Sequence, residues 1–325
     1  MSTMTFMEAI RETLRSEMEA DPKMFIIGED VGPYGGEQGV TGDLWKQFGD
    51  DRVRDAPIAE AGIIGCGLGA AMTGCKAVPE IPFGDFLGMS MDQIYNQAAK
   101  IRYMSGGQAT INLVIRTTMG GYVGGAEQHS QCLPSWFVHV PGIKVVVPSM
   151  PDDAMGLLRS ALRDNNPVLF FEHSELYSTK GEVPDDPNFM VPLGKARILR
   201  EGTDCTVVAT GLQVHHALEA AEKLATSGIE IELIDPRTLD PLDENAILES
   251  LAKTGHVVIV HETWMKAGYG AEIAAIIADK GIGYLDGPVK RVAAKDVPIP
   301  FSPPLEKFVL PQVDDIEKTV QAALM

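Results

Sequence analysis

Three side chains suited to proton transfer stand at the edge of apolar or glycine-rich stretches. Glu60 is the single carboxylate between Pro57 and a charge-free run rich in Gly and Ala that continues to Ala71. Glu29 lies in Gly28-Glu29-Asp30-Val31, just after a short apolar run. His129 sits in Gln128-His129-Ser130-Gln131, downstream of Gly120-Gly121-Tyr122-Val123-Gly124-Gly125. A carboxylate led into a core resists ionisation and can share a proton, and histidine is the commonest general acid or base. Each has a plain alternative. Glu60 fits equally a charge at a helix entry, where the dipole tolerates an anion. Glu29 and Glu60 are either a buried pair or two unrelated end charges, and His129 is also readable as a hydrogen-bonded histidine beneath a loop.

The elements that must position these groups follow from periodicity. Residues 5–20 read as a helix, with Phe6, Ile10 and Leu14 on one face and a capping box from Thr5 to Glu8. Strands are expected at 24–27, 77–83, 112–116, 144–147 and 168–171. The run from Glu60 reads as a buried, close-packed helix, residues 92–104 as another, and Pro151-Asp152-Asp153 as the first turn of a third. A polar, proline-bearing stretch follows His173, and the linker is placed at 186–200. Alternation resumes with strands at 205–210, 229–234 and 257–261, helices at 214–224, 243–251 and 271–278, and a last helix ending near Leu324. The expectation is α/β: two open parallel-sheet domains, residues 1–185 and 201–325. Ligands of such sheets bind beyond the carboxyl ends of the strands, and Glu29, Phe86 and the segment leading to His129 all follow predicted strands.

Composition narrows the function. With 325 residues, 45% hydrophobic and 22% charged, the chain is an ordinary globular protein long enough for two cores. A net charge of −18 argues against nucleic acid as a partner. No apolar run approaches a membrane span, and the N-terminus lacks a signal-peptide pattern, so a cytoplasmic protein, or a matrix protein after processing, is expected. The cysteines at 66, 75, 132 and 205 show neither Cys-x-x-Cys nor zinc spacing and are expected to be reduced and mostly buried. His215-His216 reads as surface rather than ligand. There is no phosphate loop, no Gly-x-Ser-x-Gly elbow and no Gly-x-Gly-x-x-Gly after a strand; Gly65-Cys66-Gly67-Leu68-Gly69 has the wrong spacing and lies inside a helix.

Several short motifs recur together. They are Gly28-Glu29-Asp30-Val31, Pro57-x-x-Glu60, Phe83-x-Asp85-Phe86, Asp92-Gln93-Ile94, Arg102-Tyr103-x-Ser105-Gly106-Gly107, Gln128-His129-Ser130-Gln131 and Ala161-Leu162-Arg163-Asp164-Asn165-Asn166-Pro167. In this order and spacing the chain, from about residue 4 to its end, resembles the β subunit of the thiamine diphosphate-dependent first component of 2-oxoacid dehydrogenase complexes. The resemblance implies a pyrimidine-binding domain followed by a transketolase-like C-terminal domain.

It also implies roles. In that family a carboxylate bonded to the aminopyrimidine ring starts catalysis by helping to remove the thiazolium proton, which asks for a desolvated carboxyl of raised pKa, and Glu60 holds that position. Glu29 is implied near the cofactor, Ile58 and Ala59 lining its site, and Phe86 stacked on the pyrimidine. His129 is implied to face the substrate intermediate, with Phe83, Asp85 and Gly88 beside it in the substrate pocket. Leu113, Ala161, Leu162, Asp164 and Asn166 match a structural potassium site seen in some members, built mainly of backbone carbonyls.

These enzymes hold the diphosphate through magnesium on a Gly-Asp-Gly motif with a downstream Asn. Gly42-Asp43-Leu44, Gly49-Asp50-Asp51 and Gly84-Asp85-Phe86 occur, but no Gly-Asp-Gly. The resemblance therefore implies that a separate α subunit holds the magnesium, in an α2β2 heterotetramer with the cofactor shared, and a lipoyl-bearing acyltransferase as the next partner. The chain departs from the commoner pattern at Pro82 (often Gln), Ala59 (often Ser) and Gly88 (often a bulky aromatic in pyruvate and branched-chain types). With Asp92-Gln93-Ile94-x-Asn96-Gln97-Ala98-Ala99-Lys100, this looks most like acetoin dehydrogenase β subunits. Pyruvate or a branched-chain 2-oxoacid is the alternative donor. The C-terminal half of a split transketolase and a scaffold that lost its chemistry are more distant readings.

Overall fold

A computed structural model describes residues 1–325. The chain divides into two compact units, Met1–Met119 with Trp136–Leu193, and Gly120–Ser135 with Gly194–Met325. The division at 193/194 falls inside the stretch expected as a linker, whose last residues already form a strand. The sequence reading did not separate residues 120–135 from the first half. No helix is long and apolar enough to cross a membrane.

The first unit runs β1 (Ser2–Thr5), α1 (Phe6–Ala20), β2 (Met24–Gly28), α2 (Leu44–Phe48), β3 (Val53–Asp55), α3 (Glu60–Met72) and β4 (Lys76–Phe83). Short helical turns over Gly84–Ser90 and Asp92–Ala98 lead into α4 (Ala99–Met104) and β5 (Val114–Met119). After α5 (Pro134–Val138) come β6 (Lys144–Val146), α6 (Pro151–Leu162), β7 (Val168–His173) and β8 (Lys180–Val183). The capping box of α1 forms: the Glu8 amide donates to Thr5 Oγ1 at 3.1 Å and the Thr5 amide to Glu8 Oε2 at 2.7 Å. Those bonds from Thr5 hold the Glu8 carboxyl below its ordinary range. Phe6, Ile10 and Leu14 are buried, and α1 packs on α6, which starts on Pro151 as its composition requires. The strand expected at 112–116 starts at Val114 and runs to Met119; Leu113 makes only an isolated bridge to Ala77.

Within this unit the parallel strands lie in the order β6-β7-β5-β4-β2-β3. The chain leaves β2 for β3 on one side and leaves β4 for β5 on the other. The boundary between β2 and β4 is therefore the topological switch point, where loops splay apart and leave a crevice at the carboxyl edge.

The second unit contains β9 (Arg197–Arg200), β10 (Cys205–Ala209), α7 (Leu212–Ala225), β11 (Ile231–Asp235), β12 (Thr238–Asp240), α8 (Glu244–Thr254) and β13 (Val257–Trp264). It continues through α9 (Tyr269–Lys280), β14 (Lys290–Ala294), α10 (Pro303–Val309) and α11 (Val313–Ala323). Its sheet has the order β14-β13-β10-β11-β9, parallel except for β9 against β11. Here β10 leads outward to β11 and β13 outward to β14, so the switch point lies between β10 and β13.

Candidate active site

Glu29 follows β2 directly, at the first unit's switch point. Gly28 pairs with Glu80 on one side and Asp55 on the other, and a methyl group at Gly28 would lie 2.8 Å from the Glu80 carbonyl oxygen. The turn after Glu29 places Asp30 at φ 54°, and the Asp55 carboxylate secures it by accepting from the Gly32 amide at 2.6 Å. Glu29 is half-buried, and its Oε1 is buried without a hydrogen-bond partner. Burial, followed by the charges of Glu60 and Asp30, pushes the Glu29 carboxyl up.

Glu60 is the first residue of α3, reached from β3 through Ala56, whose amide donates to Gly28 at 2.8 Å. The parallel register Gly28 to Asp55 thus brings Glu29 and Glu60 to one edge. Glu60 is half-buried, and Ala59 and Ile58 before it are exposed, Ile58 by 81%. Helix α3 is not the fully buried rod expected. Ile63, Ile64, Gly67, Leu68 and Ala71 face the core, while Gly62, Cys66 and Gly69 are exposed. A nearly uniform apolar composition carries no periodicity to tell one face from the other. Cys66 is accordingly exposed and Cys75 half-buried, with only Cys132 and Cys205 buried.

Across the switch point, β4 delivers Phe83, Asp85 and Phe86, all half-buried, with the two rings edge to face at 6.4 Å. Gly84 makes this turn possible, because a methyl group there would lie 2.8 Å from the Thr118 carbonyl oxygen. Gly88 is exposed, and the Trp136 ring lies 3.9 Å from where its Cβ would stand. An indole therefore stands beside Gly88, a contact across distant sequence positions.

Beneath this edge lies a feature that the sequence reading missed. Arg116 on β5, 1% exposed, donates to Glu172 through Nε at 2.7 Å and Nη2 at 2.8 Å, and to Glu80 through Nη1. Tyr177 donates to Glu172 at 2.7 Å. Burial disfavours the guanidinium charge, yet the two carboxylates keep it firmly protonated. Burial, aided by the Glu172 charge, holds Glu80 above the ordinary carboxylate range despite Arg116. The alternation of β4, β5 and β7 placed all three on one face, but no single strand shows that they meet.

The residues matched to a potassium site gather at the end of α6. The Asp164 amide donates to the Ala161 carbonyl at 3.2 Å and the Val168 amide to the Leu113 carbonyl at 2.9 Å. Leu162 closes the helix. Burial opposes the Asp164 charge, but Lys144 and both Asn166 donors hold its carboxyl low. The Asp164 side chain is thus committed, and a cation would depend on the carbonyls. No cluster of three or more His, Cys, Asp or Glu side chains suits a metal.

His129 lies in the segment 120–135 that folds with the second unit. Its amide donates to the Ala126 carbonyl at 3.4 Å, and the Gly120 amide donates to Gln131 at 3.3 Å.

Comparison with known proteins matches residues 2–180 to the transketolase pyrimidine-binding domain and residues 194–316 to the transketolase C-terminal domain. The chain is 47% identical over 321 residues to the β subunit of acetoin:2,6-dichlorophenolindophenol oxidoreductase of Bacillus subtilis, covering 95% of this chain and 94% of that one. It is 45% identical to the β subunit of 2-oxoisovalerate dehydrogenase of the same organism, covering 99% and 98%. It is 44% identical to the pyruvate dehydrogenase E1 component β subunit of Rhizobium meliloti, covering 99% and 70%. A split-gene transketolase solved as an inactive β4 tetramer superposes with a TM-score of 0.81 at 24% identity, covering 99% of this chain and 98% of that one, a likeness of fold.

Proposed function

We propose, for a chain that belongs to the family of dehydrogenase E1 β subunits built from transketolase-type pyrimidine-binding and C-terminal domains, that it is half of a thiamine diphosphate-dependent active site. Together with an α subunit, in an α2β2 assembly, it cleaves the bond beside the carbonyl of acetoin or a 2-oxoacid. The acyl or aldehyde unit then passes to the lipoyl group of an acyltransferase component. The observation that carries this reading is the carboxylate pair at the switch point, with a buried, unpartnered Glu29 oxygen aimed at no protein donor.

The residues present fit the cofactor's pyrimidine half. Glu60 accepts a hydrogen bond from the ring and holds a proton in transit; Glu29 shares its negative field and keeps a proton close. Ile58 and Ala59 supply backbone and apolar contact beside the ring, and Phe86, braced by Phe83, offers a flat face. When bound, the cofactor would supply the nucleophilic carbon and the electron sink that cleavage beside the donor carbonyl requires. Asp85 and Gly88 shape the donor pocket, and His129 moves a proton at the donor-derived oxygen during transfer. The missing Gly-Asp-Gly supports placing magnesium on the α subunit. The exposed Ile58 and the open face of α3 support burial of Glu60 by that subunit. Potassium, held by the carbonyls around Asp164, is a structural addition. A cytoplasmic location goes with this reading.

Acetoin is the favoured donor, supported by Gly88 and by the 47% identical relative. Pyruvate or a branched-chain 2-oxoacid is the alternative. The experiment is a donor panel on the assembly co-expressed with its α subunit, with thiamine diphosphate and magnesium, read by dye reduction. Full activity of this chain alone would overturn the two-subunit claim; activity with sugar phosphates instead would favour the split-transketolase reading.

A further inference from the structure

The switch-point crevice of the second unit's own sheet is filled by the chain itself. The segment Gly120–Ser135 lies there, between Gln213, just past β10, and Glu262, near the end of β13. Its backbone alternates: Gly120, Tyr122, Gly124 and Ala126 all have positive φ, at 94°, 71°, 69° and 63°. Such alternation turns successive amides to one side and makes an anion-binding nest. Two carboxylates fill it. Glu306 Oε1 accepts from the Tyr122 amide at 2.9 Å and the Gly124 amide at 3.3 Å, and Glu262 Oε1 accepts from the Gly121 amide at 2.6 Å.

The rest of the segment is locked around that nest. Tyr122 Oη donates to the Pro311 carbonyl at 2.6 Å and accepts from Gln213 Nε2 at 2.9 Å, and its ring meets His216 edge-on at 5.5 Å. Gly121 is pressed so close to Leu310 that a methyl group would lie 2.6 Å from its Cδ1. Gly125, next to the nest, folds back on His129: a methyl group there would lie 2.8 Å from the His129 carbonyl oxygen and 2.7 Å from Ser130 Oγ. A displacement of the amides at 121–124 therefore reaches His129 through backbone packing. Tyr122 and Ala126 keep their left-handed conformations only because the surroundings over-determine them.

We propose that Glu306, seconded by Glu262, is a positioning residue for His129: its carboxylate fills the nest and fixes the conformation of the segment that carries the histidine. This rests on the role given above to His129. Charge-assisted bonds donated by backbone amides to a buried carboxylate are stronger than neutral ones, so the clamp is rigid without touching a reactant.

The test uses the assembled α2β2 enzyme with Glu306→Ala, Glu306→Gln and His129→Ala, and with the double variant of the first and last. Amide exchange over 120–126 is expected to rise at least tenfold in Glu306→Ala, with α11 unchanged. Turnover should fall about ten- to a hundredfold with the donor KM held, as a small misplacement of an acting group does. Glu306→Gln, which keeps one accepting oxygen, should recover most of both, and carries the comparison if the Ala variant does not assemble. Glu306→Ala should add no further loss once His129 is Ala. Unchanged exchange, or losses that multiply in the double variant, would overturn the proposal. Wild-type turnover in His129→Ala with accelerated exchange in Glu306→Ala would instead remove His129 from the reaction and leave the clamp standing.

Discussion

The charge of Glu60 helps to hold the Glu29 carboxyl above the ordinary carboxylate range, second only to the burial of Glu29 itself. Two strands that pair in parallel, Gly28 to Asp55, create this relationship by ending at one edge. It supports reading the two as a pair that can hold a proton, and the first prediction tests that reading.

The first prediction concerns that pair. Glu29 has its folded pKa raised, so its contribution to stability is complete below the unfolded value of about 4.3 and is lost as pH rises through the folded value. Glu29→Gln should therefore gain on the wild-type chain as pH rises. Glu60→Gln removes a like charge and should lower the Glu29 pKa, flattening the same dependence. Thermal unfolding of the three proteins across pH measures both, and identical profiles would show that the two carboxylates are uncoupled. In the assembled enzyme, Glu60→Gln should abolish turnover while leaving assembly intact; unchanged turnover removes Glu60 from its role.

Arg116 is worth more broken than whole. Replacing it with Met leaves Glu80 and Glu172 buried together without a counter-charge, and should cost about 3–5 kcal/mol in urea unfolding. Glu80→Gln should cost less than about 1.5 kcal/mol, since burial already works against the Glu80 charge and the amide oxygen can still accept from Arg116. Glu80 too is raised, so its stability contribution disappears as pH climbs through its folded value, and Glu80→Gln should lose that sensitivity. Equal costs for the two variants would show that Glu80 is a full anion.

Gly84→Ala tests how the Phe83–Phe86 turn is held. The added methyl meets the Thr118 carbonyl, which belongs to a central strand and cannot retreat. A loss of about 1–3 kcal/mol is expected, with a raised KM for thiamine diphosphate as Phe86 shifts. Wild-type cofactor affinity would show that Phe86 does not meet the ring.

At Gly88 the opposite holds. A Cβ finds ordinary contact with Trp136 at 3.9 Å, so a larger residue folds in. Gly88→Tyr should keep stability within about 0.5 kcal/mol, as exposed positions do, and narrow the donor range towards pyruvate at the expense of acetoin. An unchanged donor panel would place Gly88 outside the pocket.

Much of this protein is written in local pattern. The strand and helix alternation, the capping box at Thr5 and Glu8, the proline-led start of α6 and the two-domain α/β class all follow from short-range periodicity. The family followed from ordered motifs, and Glu29 and Glu60 were visible because each stands at the edge of an apolar run. Placing Glu29, Glu60 and Phe86 around one switch point needed strand order, because parallel sheets pair strands that are distant in the chain.

Glu306 shows where local pattern misleads. In α10 the flanking Leu305 and Phe308 are 55% and 65% exposed while Glu306 is 3% exposed, the reverse of what hydropathy assigns. A carboxylate enters a core only when donors wait for it, and here the donors are backbone amides over 180 residues away, which no side-chain pattern records. Backbone donors likewise tie residues 120–135 to the second unit, whereas the Arg116 triad stayed hidden because its side chains come from strands distant in the chain. The sequence by itself determined the elements, the family and the acids that could act. Tertiary structure decided which buried charges find partners, because that depends on three-dimensional register and on backbone groups common to every residue.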